Sequence, residues 1–370
     1  MIPVCRPYLD GTEKTYVLDA LETGWISSAG IYLKEFESKF GSFAGCNHAV
    51  ACSNGTAAVH LALIAAGVGP GDRVVVPSFT MMASVFPILQ QGAVPVFVDC
   101  DPETWTLAPD ELDSIKGPVK AVMPVHIYGH PCDMDPIREW AAARKAVVIE
   151  DAAEGHGSTY KNQPIGSLSD VATFSFYANK IITCGEGGMI TTNNSEIAQR
   201  CRYYLNLCFD KDPDKRFIHE AVGYNYRLTN LQAAIGLAQV EAAPRLIEMR
   251  RGMATKYIER LKDLTEYIQL PVEKPWAKNV YWMFGVVLRK SLGMSAPAVR
   301  ARLLEDGVDT RRFFYPGHLQ PVLSQYGAGV RAPVSEDLWN FGFYLPSSSD
   351  LTDAEADQVT EALARAVGRK

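Results

Sequence analysis

The sequence predicts an α/β fold: a large first domain built on a mainly parallel central sheet, then a smaller α+β domain at the C-terminal end. Two observations carry this. Short, nearly continuous apolar runs alternate with helical stretches through the first two-thirds of the chain, the pattern of strands covered on both faces. A long helical stretch at about 230–261 then leads into a region of a few isolated elements, which puts the boundary near residue 245, between domains 1–245 and 246–370. The length of 370 residues fits such a pair, being more than one ordinary core accommodates.

Element by element, Asn54 to Ala66 reads as a helix with Ala57, Ala58, Leu61 and Ile64 on its apolar face. Strands are expected at Arg73–Pro77, Val94–Asp99, Lys120–Pro124 and Ala146–Glu150, and two more at Val171–Tyr177 and Gly188–Thr192. Beyond the long helix, Tyr281–Leu288 is strand-like, and Ala296–Glu305 and Ala354–Val367 are helix-like.

Composition narrows the function. An apolar fraction of 47% with 21% charged residues is that of a globular protein with a sizeable core, and no apolar run reaches the roughly 18 residues of a membrane span. The first residues, Met1-Ile2-Pro3-Val4-Cys5-Arg6, lack the charged-then-apolar layout of a secretory signal, so a cytoplasmic location is expected. A net charge of −6 argues against nucleic acid as partner, and basic stretches such as Met249-Arg250-Arg251 read as solvated helix surface. Eight cysteines occur without a C-x-x-C pair or a histidine at zinc-site spacing, so free thiols and no metal are expected.

The residues that carry chemistry are Asp151, just past a buried strand in Ile149-Glu150-Asp151-Ala152-Ala153-Glu154, and Lys180, after the apolar run Thr173–Tyr177 and before the turn Cys184-Gly185-Glu186-Gly187-Gly188. The carboxyl ends of strands are where open α/β sheets place ligand-binding groups. A carboxylate buried there needs a cationic partner, which a protonated pyridine nitrogen would supply. A desolvated lysine can lose its proton, as Schiff-base chemistry requires. The plainer alternative is that Asp151 caps a turn and Lys180 lies on the surface. Gly55, Thr56 and Ala57 open a helix whose free N–H groups suit a phosphate. Asn54 or Ser53 as an ordinary N-cap competes for that turn, and both can hold.

These motifs resemble the sugar aminotransferases of the DegT/DnrJ/EryC1/StrS family. The likeness runs nearly end to end and is densest in Ser53–Ala58, Pro124-Val125-His126-Ile127-Tyr128-Gly129, Glu150–Ala153, Gly185–Gly188, Gly223–Arg227 and Leu231–Ala234. The resemblance implies the aspartate-aminotransferase-like fold (PLP fold type I). It also implies pyridoxal 5'-phosphate as cofactor, with the pyridoxamine form arising during turnover, and a homodimer with shared active sites. Lys180 would carry the cofactor and shuttle the proton, and Asp151 would keep the pyridine nitrogen protonated. Ser175 would contact the phosphate, and Asn225, otherwise a turn residue, would reach the neighbouring subunit's phosphate. Glu154 would orient substrate or assist proton transfer, unless its role is structural; His156 is expected to be a hydrogen-bonded structural histidine.

The runs Trp25-Ile26-Ser27-Ser28, Cys132–Ile137, Asn179–Thr183 and Asn225–Gln239 look closest to the branch that aminates GDP-4-keto-6-deoxy-D-mannose at C4 with L-glutamate as donor. The alternative is the same chemistry on a UDP- or dTDP-linked 4-keto or 3-keto sugar. A dehydratase relative would carry histidine in place of Lys180, and a non-catalytic PLP-binding protein would not need the Lys180–Asp151 pair. Two departures stand out. Met81 occupies a position that is often aromatic in relatives and covers one face of the cofactor ring; methionine can pack there through sulfur contacts. Leu205 to Arg216 matches poorly and reads as a charged surface loop near the substrate. For the sugar nucleotide, Trp25 (alternatively core), Ser27 and Ser28 are candidates, as are Tyr315 and His318 beside Arg311 and Arg312.

Overall fold

The computed structural model describes residues 1–369. Seven strands form the central sheet: β1 (His48–Cys52), β2 (Arg73–Pro77), β3 (Val94–Val98), β4 (Ala121–Val122), β5 (Val147–Asp151), β6 (Val171–Ser175) and β7 (Gly188–Thr192), in the order β1-β7-β6-β5-β4-β2-β3. From β6 through β5, β4 and β2 to β3 every pairing is parallel, and only β7 runs against its neighbours, antiparallel to both β6 and β1. The strand interiors are buried, as their Val- and Ile-rich runs require of a sheet covered on both faces. The helix Gly55–Ala65 is apolar but for Thr56 and His60, and every residue from Ala57 to Ala65 is buried, the helix packing against the sheet and the helix Ser195–Leu205.

Strand β1 is absent from the reading of the sequence. His-Ala-Val-Ala-Cys contains a single β-branched residue, and its pairing with β7, not local preference, makes it a strand. The expected helix 230–261 is two helices, Asn230–Glu241 and Ala243–Leu261. Pro244 has no N–H to bond back to Val240, so the ladder cannot continue through it and the chain restarts at Ala242. Within 281–288 only Gly285–Leu288 is strand, and Tyr281 has a left-handed φ of 50°.

A second sheet, in the order Ile268–Gln269, Gly285–Leu288, Gly342–Tyr344, Arg311–Arg312, is antiparallel throughout and is covered by the helices Ala296–Glu305 and Asp353–Ala366. The N-terminal residues pack with this later part of the chain: Ile2 N donates to Gly307 O at 2.8 Å and Ser347 N donates to Val4 O at 2.7 Å. Arg250 departs from the expected solvated surface. It is 1% exposed and donates to the carbonyls of Trp282 and Ser347, so the guanidinium ties the helix Ala243–Leu261 to both segments.

Candidate active site

The C-terminal ends of β1, β2, β4, β5 and β6 and the start of β7 share one edge of the sheet, and a cavity of about 580 Å³ opens there. Asp151, the last residue of β5, faces it and is 5% exposed. Its carboxylate accepts from Ser84 Oγ at 2.7 Å and from Ala153 N at 3.1 Å. Both donors are neutral, so a buried charge remains without a cation in direct contact.

Lys180 lies across the cavity from a different element, its backbone turned by a bond from Lys180 N to Tyr177 O at 2.9 Å. Its Nζ is 4.0 Å from Glu154 Oε1 and 3.7 Å from the centroid of the Trp282 ring. Burial lowers its pKa below the ordinary lysine value, against the attraction of Glu154 and Asp151. Burial also pushes the Glu154 carboxyl up to about 7, against the pull of the Lys180 ammonium and the Tyr128 N–H that bonds Glu154 Oε2 at 2.7 Å. A lysine with weakened hold on its proton and a carboxyl poised near neutrality form a proton-transfer pair.

The opposite wall is the first turn of the helix Gly55–Ala65. Asn54 caps it, and Ala57 N donates to Asn54 Oδ1 at 2.8 Å. Ala57 lines the cavity, but its N–H is already taken, so the free donors of that turn are the amides of Gly55 and Thr56. A Cβ on Gly55 would stand 2.7 Å from Ser175 Cβ, so the absence of a side chain is what lets the turn close against the end of β6. Amide donors at a helix start beside the Ser175 hydroxyl form an anion cradle. Met81, 54% exposed, lines the cavity on the loop after β2.

The remaining candidates lie elsewhere. Trp25 is 59% exposed, so it is not core, and its carbonyl and that of Ser27 are held by Asn230; none of Trp25, Ser27 and Ser28 lines the cavity. Asn225 is exposed, bridged to Asn206, and also outside it. Tyr315 packs edge-on against Trp339, and His318 is buried with Nδ1 2.6 Å from Ser78 Oγ; the cavity is lined instead by Phe314, which precedes them. His156 is buried and stacked on Phe174 and Phe176. Contrary to expectation, neither ring nitrogen has a hydrogen-bond partner, and burial, with the Lys180 charge adding, takes its pKa down to about 3. Ser84, Glu186, Tyr226, Trp282 and Tyr344 line the cavity without having been anticipated.

Residues 7–364 match the DegT/DnrJ/EryC1/StrS aminotransferase family. The chain belongs to that family. Among relatives, it is 44% identical over 363 residues to the GDP-perosamine synthase of Caulobacter vibrioides, covering 98% of this chain and 97% of that one. It is 34% identical over 367 residues to the putative pyridoxal phosphate-dependent aminotransferase EpsN of Bacillus subtilis, covering 96% and 93%. Among solved structures, the crystal structure of S. venezuelae DesV in complex with a ketimine intermediate has a TM-score of 0.89 at 32% identity, over 97% of this chain and 95% of that one. Family membership makes this DegT/DnrJ/EryC1/StrS protein an aminotransferase with pyridoxal phosphate (PLP) as cofactor. The cavity fits that group: a buried carboxylate in want of a cation, an anion cradle and a desolvated lysine all face one volume.

Proposed function

We propose that this chain transfers the amino group of L-glutamate to C4 of GDP-4-keto-6-deoxy-D-mannose, giving GDP-perosamine. The observation that carries this is the 44% identity to a GDP-perosamine synthase along 98% of the chain, against 34% to EpsN, combined with a cavity that holds Lys180, Glu154 and Asp151 together.

PLP, when bound, supplies an electron sink for the carbon that loses or gains the amino group. Lys180 and Asp151 are the residues we assign to it first. Asp151 would hold the ring nitrogen protonated, with Ser84 fixing the carboxylate's orientation. The amides of Gly55 and Thr56 and the hydroxyl of Ser175 would hold the phosphate, and Met81 would cover the ring. Lys180 would carry the proton between donor carbon and cofactor, and Glu154, anchored by the Tyr128 amide, would orient the sugar and exchange that proton.

Among the described residues, the lining of the cavity contains one cation, Lys180, against Asp151, Glu154 and Glu186. A nucleotide diphosphate therefore needs cations from beyond it. We take this, with the exposed Trp25, Ile26, Ile31, Phe217, Ile218 and Val222, as support for a homodimer in which Asn225 and the Trp25–Ser28 segment serve the neighbouring site. The reading carries with it a cytoplasmic location and a division into a cofactor-binding part, 1–245, and a smaller part, 246–370.

The test is a mass-spectrometric assay of PLP-loaded protein given L-glutamate and 4-keto sugars linked to GDP, UDP or dTDP. A GDP-linked amine, lost in Lys180→Ala and with the C4 stereochemistry of perosamine, is expected. Amination of a UDP- or dTDP-linked sugar alone would overturn the substrate and keep the chemistry.

A further inference from the structure

Among the described residues the Lys180 ammonium makes no hydrogen bond within the protein, and its nearest described partner is an aromatic face. Nζ sits 3.7 Å from the centroid of the Trp282 ring, nearer than the 4.0 Å to Glu154 Oε1. The ring is itself fixed. Trp282 is 4% exposed, and its Nε1–H donates at 2.8 Å to the carbonyl of Asn179, the residue before Lys180. The Trp282 carbonyl receives the buried Arg250 guanidinium at 2.8 Å, so both edges of the residue are tied down. A cation on a desolvated indole face is among the stronger cation–π arrangements, and the face takes up a positive charge without taking its proton.

We infer that Trp282 is a further catalytic residue: its indole face and the Glu154 carboxyl form a cradle that holds the Lys180 side chain when it is not covalently engaged and favours its ammonium form while it carries the proton. This rests on the reading of Lys180 as the cofactor lysine. In transamination the lysine leaves the cofactor in one half of the reaction and rejoins it in the other, so it must wait nearby without being trapped. A carboxylate alone would hold it through a strong ion pair in a dry cavity. The π face shares the charge and leaves Glu154 free to exchange a proton.

The other groups around Nζ are accounted for. Burial opposes the charged lysine, while Glu154, Asp151 at the end of β5 and Cys5 in the N-terminal segment favour it. His156, whose pKa burial and the Lys180 charge take down to about 3, is uncharged near neutrality and adds no competing cation.

The experiment uses the full-length protein loaded with pyridoxamine phosphate, which leaves Lys180 free, as wild type, Trp282→Phe and Trp282→Leu. Acetylation of Lys180 by acetic anhydride is followed by peptide mass spectrometry across pH. A change in reagent access alters the plateau at high pH; a change in proton affinity alters the midpoint. Trp282→Leu is expected to shift the midpoint down by about one unit, so that Lys180 is labelled about tenfold faster below it. Trp282→Phe keeps a π face but loses the bond to Asn179, and should stay within about twofold of wild type. An unchanged midpoint in Trp282→Leu would overturn the cradle. So would an equal shift in both variants, which would assign Trp282 to holding Asn179. Loading with PLP instead should mask Lys180 in all three proteins; failure of masking with the Leu shift intact would overturn the cofactor reading and with it the catalytic role, leaving only the contact between Trp282 and the lysine.

Discussion

Replacing Glu154 by glutamine removes a titration that the fold makes costly, and the cost has a definite pH signature. Burial raises the carboxyl from an ordinary 4.5 to about 7. Between those values the folded protein keeps a proton that the unfolded chain has lost, so stability falls as pH rises through the window. Integrated between about pH 5 and about pH 8, this takes on the order of 2 kcal/mol from the wild type and, for this group, nothing from Glu154→Gln. With an unfolding entropy of about 2.1 cal/mol/K per residue over 370 residues, the variant should gain about 3 °C in Tm relative to wild type on going from the lower pH to the higher. Glutamine keeps an acceptor for the Tyr128 N–H, so the shape of the site is preserved. The assay is calorimetric or CD melting of both proteins, without cofactor, at the two pH values; titrations remote from Glu154 cancel in the difference, and the loss of its pull on Lys180 acts in the same direction. Melting temperatures that keep a constant separation would mean that Glu154 titrates as an ordinary carboxyl, and its proposed part in proton exchange would fail.

Lys180→Ala should bind PLP without a covalent link and form no amino sugar, read by mass spectrometry of the protein and of the product. Asp151→Asn should keep the hydrogen bond from Ser84 but lose the charge that holds a ring nitrogen protonated, lowering kcat by about 10²-fold or more, measured by steady-state kinetics. Gly55→Ala puts a methyl 2.7 Å from Ser175 Cβ; PLP affinity should fall about tenfold or more, measured by absorbance titration. Asp99, at the end of β3, caps the distant helix Pro333–Phe341 through Val334 N at 2.8 Å and Ser335 N at 2.9 Å. Asp99→Ala should cost about 2 kcal/mol and lower Tm by about 2–3 °C in calorimetry.

What the sequence disclosed depended on whether the determining contacts were local. Strand β2 reads directly as Arg73–Pro77 because consecutive branched residues suit a strand buried on both faces. Asp151 and Lys180 were legible because charged groups beside apolar strands and glycine turns are chemically conspicuous. Strand β1 was silent, being held by its partner, and the break at Pro244 was missed because the apolar period continues across it. Trp282, Phe314 and Tyr344 reach the cavity from segments more than 100 residues beyond Lys180, a placement that no local pattern records. Arg250 looked like surface charge beside Arg251; its burial follows from carbonyls contributed by residues 282 and 347.

The distribution of charge explains why these pieces form one site. The helix face and strand ends that make the cavity are apolar or carry neutral donors, so its polarity rests on few groups. His156 could have added a cation, but burial, with the Lys180 charge adding and no hydrogen-bond partner to offset it, keeps it neutral. Three carboxylates then face one ammonium. Glu154 relieves part of the imbalance by holding a proton up to about pH 7, and the Trp282 face favours the charged lysine. The hydrogen-bond partners of Asp151 are a hydroxyl and an amide, and no cation touches it. Within the chain only the more distant Lys180 charge acts on it, and a protonated pyridine ring would supply a direct partner. Cofactor binding is therefore coupled to the Asp151 charge, so a variant that neutralises Asp151 should show a smaller rise in Tm on adding PLP than the wild type does, measured by calorimetry.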